Sequence, residues 1–83
     1  MTPDVIEKFI EKKTSSSTPV RIHFKDRDTV NGIFIHTADY EELKSKNLWR
    51  IVNKQNAQKW KETKDESLAR IFNGASFTRL SDN

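Results

Sequence analysis

The residues best suited to chemistry are aromatic and basic side chains that share one stretch of the chain. Tyr40, Trp49 and Trp60 lie in or beside residues 44–64, which hold seven basic residues and one acidic residue, a local net charge of +6. Aromatic rings stack on nucleic-acid bases for about 1 to 3 kcal/mol per base, and lysines add a salt-dependent attraction to phosphates. This combination indicates single-strand binding, although a solvated lysine-rich loop beside a buried tryptophan has the same composition. Tyr40 is the better stacking candidate because its neighbours are polar.

Catalytic and metal chemistry have little support in the sequence. His23 and His36 lie thirteen residues apart in a chain without cysteine, whereas a metal site needs three or four converging ligands. The serines at positions 15–17 have no neighbouring base, and Asp26 and Asp28 lack the third carboxylate and the glycine of a calcium loop. No phosphate-binding glycine loop is present. We therefore expect a protein that is not an enzyme and uses no cofactor, metal or small-molecule substrate.

Length and composition indicate a single domain over residues 1–83. A chain of 83 residues is near the lower size at which one apolar core holds a fold together, and no disulfide can assist because cysteine is absent. No apolar run approaches the roughly 18 residues that span a bilayer. Residues 1–13 mix charges with apolar positions, unlike a signal peptide. We expect a soluble cytoplasmic protein with no membrane partner.

An N-terminal helix is predicted over residues 1–13. Thr2 supplies a capping hydroxyl, Pro3 suits the first helical position, and Asp4 lies near the positive end of the helix dipole. The apolar residues of this segment recur on one helical face, so the helix must lie on an apolar surface. A polar connector at 14–19 ends it.

Strand periodicity begins at residue 20 and predicts five strands. They are placed at residues 20–24, 29–36, 48–53, 68–72 and 76–80. Gly32 lies inside the second strand, where a missing Cβ permits either a sharp bend or a simple bulge. Asn73 and Gly74 predict a type I′ turn before the fifth strand. Residues 37–47 form a connection with about one helical turn, and 54–66 suit a loop, a short helix or strand extensions.

Two short motifs accompany this order of elements. In the first, alternating apolar residues precede a charged turn, an aliphatic residue and a glycine. Its positions are Val20, Ile22, Phe24, Lys25, Asp26, Val30 and Gly32. In the second, an apolar pair precedes a glycine, with apolar residues three and six positions later. Its positions are Ile71, Phe72, Gly74, Phe77 and Leu80.

With these motifs the chain resembles the Sm-like (Lsm) proteins. The resemblance implies a mainly β fold: an N-terminal α-helix, then a strongly bent five-stranded antiparallel sheet that forms a small Sm-like barrel over residues 20–80. It also implies a homo-oligomeric ring. Arg27 stands where the family usually has the glycine of the first turn, which should strain that turn or change its type.

Apolar residues on the second faces of the strands also predict a homo-oligomer. So small a barrel cannot enclose all of them, and the N-terminal helix can cover only some. They are Ile33, Ile35, Trp49, Ile51, Ala69 and Ile71. The outer strands of the sheet also leave unpaired edges, and both features favour contact with another copy of the chain.

The resemblance implies a base-binding pocket in the loop after the second strand, made partly by an aspartate, an aromatic residue or histidine, and an asparagine. Asp39 and Tyr40 lie near that place, but Asp39 is one position further from Gly32 than the pattern expects. Leu43 stands where the asparagine is expected, so Asn47 serves only if the loop carries an insertion. The RNA-binding candidates are Asp39, Tyr40, Asn47, Asn73, Lys44, Lys46, Lys59 and Lys61.

Two functions stay open. The first is an Sm-like ring that binds single-stranded RNA, where the preference for RNA over DNA comes from the resemblance alone. The second is an Sm-fold scaffold or protein-interaction module with a degenerate pocket, because the expected asparagine is missing and Asn73 replaces the arginine before the second glycine. On the assembled ring, convergence of Lys59, Lys61 and Lys64 on one face with Tyr40 at a pore or rim would favour the first function, and basic side chains scattered around the periphery would favour the second.

Overall fold

The computed structural model describes residues 1–12 and 19–82. The predicted connector at 14–19 lies outside the described residues except for Pro19. In chain order the elements are α1 (Pro3–Glu11), β1 (Val20–Phe24), β2 (Val30–Phe34), α2 (Tyr40–Ser45), β3 (Leu48–Asn53), α3 (Ala57–Thr63), β4 (Ala69–Asn73) and β5 (Phe77–Asp82), with 3₁₀ helices at Lys54–Asn56, Glu66–Leu68 and Gly74–Ser76. Among these residues no helix combines the length and apolar character needed to cross a bilayer.

The N-terminal helix is confirmed, with its start as expected. The hydroxyl of Thr2 accepts a hydrogen bond from the backbone N–H of Val5 at 3.4 Å, and Pro3 is the first helical residue. The helix buries Ile6 completely, whereas Val5 remains half exposed on its outer side. α1 ends at Glu11, earlier than predicted.

The five-stranded antiparallel sheet is confirmed, and its strand order is β4-β3-β2-β1-β5. β1 pairs with β5 across the sequence, with Ile22 opposite Leu80 and an irregular register between His23 and Phe24. In the described part of the chain β4 and β5 are the two sheet edges and do not pair with each other. The sheet is therefore open, and its closure into a barrel stays a prediction.

Gly32 permits a close approach between β2 and β3. A Cβ atom at this position would lie 2.5 Å from the carbonyl oxygen of Val52 and 2.8 Å from Cγ2 of Ile51. Both neighbours belong to β3, and one of them is backbone, which cannot move aside without disturbing the sheet pairing. A side chain at position 32 would therefore push these strands apart.

The predicted type I′ turn at Asn73 and Gly74 is wrong. That turn needs positive φ at both residues, but Asn73 is extended at φ −86° and ψ 117°, and neither glycine of the chain has positive φ. Instead the Asn73 side chain accepts a hydrogen bond from the N–H of Ala75 and starts a 3₁₀ helix. Gly74 is required for packing, because an added Cβ would lie 2.6 Å from Cδ1 of Ile6 and 2.8 Å from Nε1 of Trp49.

The main core lies between α1 and one face of the sheet. Its buried members are Ile6, Val20, Ile22, Phe34, Trp49, Ile51, Phe77 and Leu80. The prediction that Trp49 and Ile51 belong to the second face is wrong. Ile51 lies directly opposite Phe34 in the pairing of β2 with β3, and opposite residues share one face of a sheet.

The second face of the sheet is covered by α3, the segment that sequence patterns left undecided. Ile33, Ile35 and Val52 are buried there against Ala57, and Trp60 packs over them. The chain thus covers much of the apolar surface that was assigned to a partner. This removes one reason for expecting an oligomer, and the oligomer stays a prediction.

Arg27 does not strain the first turn. Among the described residues other than glycine, only Asn47 and Lys64 have positive φ, so the turn needs no glycine. The guanidinium carbon of Arg27 lies 5.3 Å from the ring centres of both Phe24 and Phe72. This geometry is a favourable cation–π contact, and it holds the arginine over the open end of the main core.

Candidate nucleic-acid interface

Asp39 stands before the first residue of α2, and its carboxylate is used within the chain. Nη2 of Arg50 lies 2.8 Å from Oδ2 of Asp39, Nε donates to Oδ1 at 3.3 Å, and the hydroxyl of Thr37 also donates to Asp39. The hydrogen bonds from Arg50 and then Thr37 lower the pKa of Asp39 to about 2. The paired oxygens have little capacity left for a nucleic-acid base.

Tyr40 is packed against other side chains. Its ring centre lies 3.9 Å from that of His36, with a tilt of 58°, and 6.0 Å from the ring of Trp49. Its hydroxyl donates to Oε2 of Glu7 at 3.3 Å. Burial and the nearby Glu7 carboxylate raise the pKa of Tyr40 to about 12. The ring therefore joins α1 to the sheet, and its contact with His36 leaves no free stacking surface on that side.

The groove beside Tyr40 is acidic. It has a volume of about 420 Å³, and Glu7, Glu11 and Glu41 line it. Lys44 lies 2.8 Å from Oε2 of Glu7 and 3.0 Å from Oε2 of Glu41, so its ammonium group is already neutralised. The hydrogen bond from Lys44 lowers the pKa of Glu7. A phosphate entering this groove would meet carboxylates before it met a free cation.

Asn47 and Asn73 hold the fold together around Gly74. The Asn47 side chain donates to the carbonyl oxygen of Met1 and accepts from Nε1 of Trp49, each at 2.9 Å. Its backbone carbonyl accepts from the N–H of Gly74 at 2.8 Å. Asn73 caps the 3₁₀ helix that follows it. Both candidates thus have structural hydrogen bonds.

The remaining lysine candidates do not gather at Tyr40. Lys46 lies 3.6 Å from Glu42 on α2 and is largely exposed. Lys59 and Lys61 are exposed on α3, which packs on the second face of the sheet. The structure therefore brings together Asp39, Tyr40 and Lys44 around α2 and links Asn47 to them through Trp49. It keeps Lys59 and Lys61 apart from them.

Folding divides the basic segment 44–64 into two unlike halves. In the first half Lys44, Lys46 and Arg50 each have a carboxylate partner. In the second half the lysines are exposed and have no carboxylate within ion-pair distance among the described residues. We call them the α3 basic surface: Lys54, Lys59, Lys61 and Lys64. Lys64 lies 4.1 Å above the ring centre of Trp60, and the acidic Glu62 accepts a hydrogen bond from the amide of Gln58.

A second pocket lies at the opposite end of β3 from Tyr40 and was missed by sequence reasoning. It has a volume of about 320 Å³, and no carboxylate lines it. We call it the arginine pocket, and its polar lining is Arg27, Asn53, Gln55, Asn56 and Arg70. Arg70 lies opposite the buried Ile51, so it occupies a core-facing register position of β4. In the sequence, the signal for this pocket was a charged residue at a strand position that faces the core.

No protein family, curated protein or solved structure that was compared with this chain matches it.

Proposed function

We propose that this protein is an Sm-like, non-catalytic cytoplasmic protein that binds single-stranded RNA through the α3 basic surface rather than through the groove beside Tyr40. The observation that carries the proposal is the division of the basic segment into a paired half and an unpaired half. The helix followed by a five-stranded antiparallel sheet supports the Sm-like part of the proposal.

The unpaired lysines favour phosphate binding for a simple energetic reason. Lys44 would have to leave Glu7 and Glu41 before it met a phosphate, and both carboxylates would then repel the RNA strand. Lysines of the α3 basic surface have no ion pair to break among the described residues, although Lys64 contacts the ring of Trp60 and Lys59 is attracted to Asp65, and counterion release favours binding. Binding of a phosphate backbone therefore costs less free energy at the α3 basic surface than at Lys44.

Base stacking adds little to this mode of binding. Trp60 packs on the second face of the sheet, and the ammonium group of Lys64 lies over its ring. Tyr40 is in contact with His36. Binding is therefore mainly electrostatic, steeply dependent on salt and weakly dependent on RNA sequence.

Assembly into a homo-oligomeric ring is part of the proposal. β4 and β5 are sheet edges at opposite ends of the strand order, so a head-to-tail contact between β4 of one copy and β5 of the next can repeat around a ring. Ile71 on β4 is 47% exposed and would be covered by such a contact. Light scattering across the micromolar range tests this assembly, and a monomeric mass throughout would contradict it.

A protein-interaction module without RNA is the second candidate. This candidate is favoured because the side chains of Asp39, Tyr40 and Lys44 already bind or contact other residues of the chain. The acidic groove beside them also favours it. The lysines do not converge near Tyr40, which also favours this alternative.

Fluorescence anisotropy with short uridine-rich and adenosine-rich RNAs separates the two candidates. RNA binding predicts micromolar affinity at about 50 mM salt and at least tenfold weaker affinity at about 200 mM, with similar values for the two sequences. Absence of binding at the lower salt concentration, with the native circular dichroism spectrum intact, would remove the RNA proposal and leave the interaction module.

A further inference from the structure

The arginine pocket has the charge of an anion site. Arg27 and Arg70 both line it, and neither has a carboxylate within ion-pair distance among the described residues. Arginine stays protonated at any physiological pH, and its planar donor fork matches the oxygens of a phosphate. Two such groups with no carboxylate in the lining create a strong preference for a negatively charged ligand.

One of the two guanidinium groups is already held in place. The guanidinium carbon of Arg27 lies 5.3 Å from the ring centres of Phe24 and Phe72, and these contacts restrict its side chain in the pocket lining. Binding therefore requires less loss of side-chain freedom than binding by a solvated arginine. Arg70 reaches the same pocket from β4, where it stands opposite Ile51.

The rest of the lining suits a planar polar body attached to the anion. Val30, Leu68 and Phe72 provide a small apolar surface, while three carboxamide side chains provide donors and acceptors together. Asparagine and glutamine are the side chains that pair with the edges of nucleic-acid bases. A volume of about 320 Å³ is near the lower end of small-ligand pockets and suits one nucleotide.

We propose that the arginine pocket binds one nucleotide. Its phosphate lies between Arg27 and Arg70, and its base lies on the apolar surface with its polar edge toward the carboxamides. The ligand is either a free nucleoside monophosphate or the 5′-phosphorylated end of a single strand. This site shares no residue with the α3 basic surface, so the proposal goes beyond the RNA function and does not depend on it.

Isothermal titration calorimetry on the full chain tests the pocket with uridine and adenosine monophosphates, the matching nucleosides and inorganic phosphate. We expect each nucleotide to bind at least about tenfold more tightly than its nucleoside or phosphate alone, because only the nucleotide uses both parts of the pocket. Equal binding of nucleotide and nucleoside would overturn the proposal, and so would undetectable binding of every nucleotide.

Variants assign the binding to this pocket. Arg70→Gln should weaken nucleotide binding about tenfold or more, whereas Arg79→Gln, an exposed arginine on β5, should leave it unchanged. Gln55→Ala should weaken nucleotide binding and leave phosphate binding unchanged. It also keeps the test decisive if Arg70→Gln perturbs the fold, since both arginines would remain. Equal effects of Arg70→Gln and Arg79→Gln in folded protein, or no effect of Gln55→Ala on nucleotide binding, would overturn the assignment.

Oligonucleotides identify the source of the phosphate. If the ligand is a strand end, a 5′-phosphorylated strand binds more tightly than its 5′-hydroxyl form. This difference in affinity persists when Lys59 and Lys61 are replaced by glutamine. It disappears in Arg70→Gln. If the ligand is a free nucleotide, the two strands bind equally while the monophosphates still bind. These experiments therefore distinguish an absence of RNA binding at the α3 basic surface from an absence of nucleotide binding in the arginine pocket.

Discussion

Lys44 and Glu7 form an ion pair, with 2.8 Å between Nζ and Oε2, that joins α2 to α1. The two residues are 37 positions apart in the chain. Lys44 belongs to a strongly basic stretch of sequence, but in the folded protein the carboxylate of Glu7 balances its charge. The proposed location of RNA binding rests on which lysines fold against carboxylates.

Replacing Lys44 should affect stability more than RNA binding. In Lys44→Met the Glu7 carboxylate loses its closest cation, so we expect a lower urea midpoint and an RNA affinity within about twofold of wild type. Lys59→Met is the matched control on α3, where the expected effects are reversed: weaker RNA binding and an unchanged midpoint. A loss of RNA affinity confined to Lys44→Met would contradict the assignment.

The ion pair of Asp39 with Arg50 should appear in the acid denaturation of the protein. The pKa of Asp39 is about 2 in the folded state against an ordinary 3.8, so the unfolded chain takes up this proton first as the pH falls. The contribution to stability is complete above about pH 4 and is lost as the pH falls toward 2. Thermal melts across this range should show a shallower fall for Asp39→Asn than for wild type. Parallel curves would show that the pair adds nothing to the pH dependence.

The two glycines should differ in their tolerance of alanine. Gly32→Ala places a Cβ 2.5 Å from a backbone oxygen of β3, and overpacking of this kind costs about 1 to 3 kcal/mol. At Gly74 the three nearest atoms belong to the side chains of Asn47, Ile6 and Trp49 and none is backbone, so side-chain shifts can relieve the clash at a smaller cost. We expect the larger loss of unfolding free energy for Gly32→Ala in urea titrations. The reverse order would mean that the packing around Gly74 is the more rigid.

Trp60 should contribute to stability as the cover of the second face of the sheet. Trp60→Ala uncovers part of Ile33, Ile35 and Val52, and because Trp60 is only half buried we expect a loss of about 2 kcal/mol. Lys59→Ala on the exposed side of α3 should change stability by less than about 0.5 kcal/mol. Equal effects of the two substitutions would show that α3 does not hold this second core.

Local patterns in the sequence predicted much of the fold. β3 has the predicted bounds, and the cap at Thr2 and the alternation in β1 led directly to observed elements. These signals lie within a few residues of the structure that they determine. α3 was left undecided because Trp60 is its one large apolar residue, and its contact with the sheet depends on strands far away in the chain.

The parts that sequence could not predict depend on long-range contacts. The Asn73 and Gly74 pair has a strong local turn preference, but packing against Ile6 and Trp49 determines its conformation. The face occupied by Trp49 depends on the register of β3 with its neighbours. Whether a basic residue is free depends on partners such as Glu7, which lies in a different element.

The salt dependence of RNA affinity tests the central claim most directly. If the four lysines of the α3 basic surface each contact a phosphate, the slope of log affinity against log salt should be about −2.8 for wild type and should shrink by about 1.4 when Lys59 and Lys61 are both changed to glutamine. Changing Lys44 and Lys46 to glutamine should leave the slope as it is. A slope that shrinks for Lys44 and Lys46 but not for Lys59 and Lys61 would contradict the proposed interface.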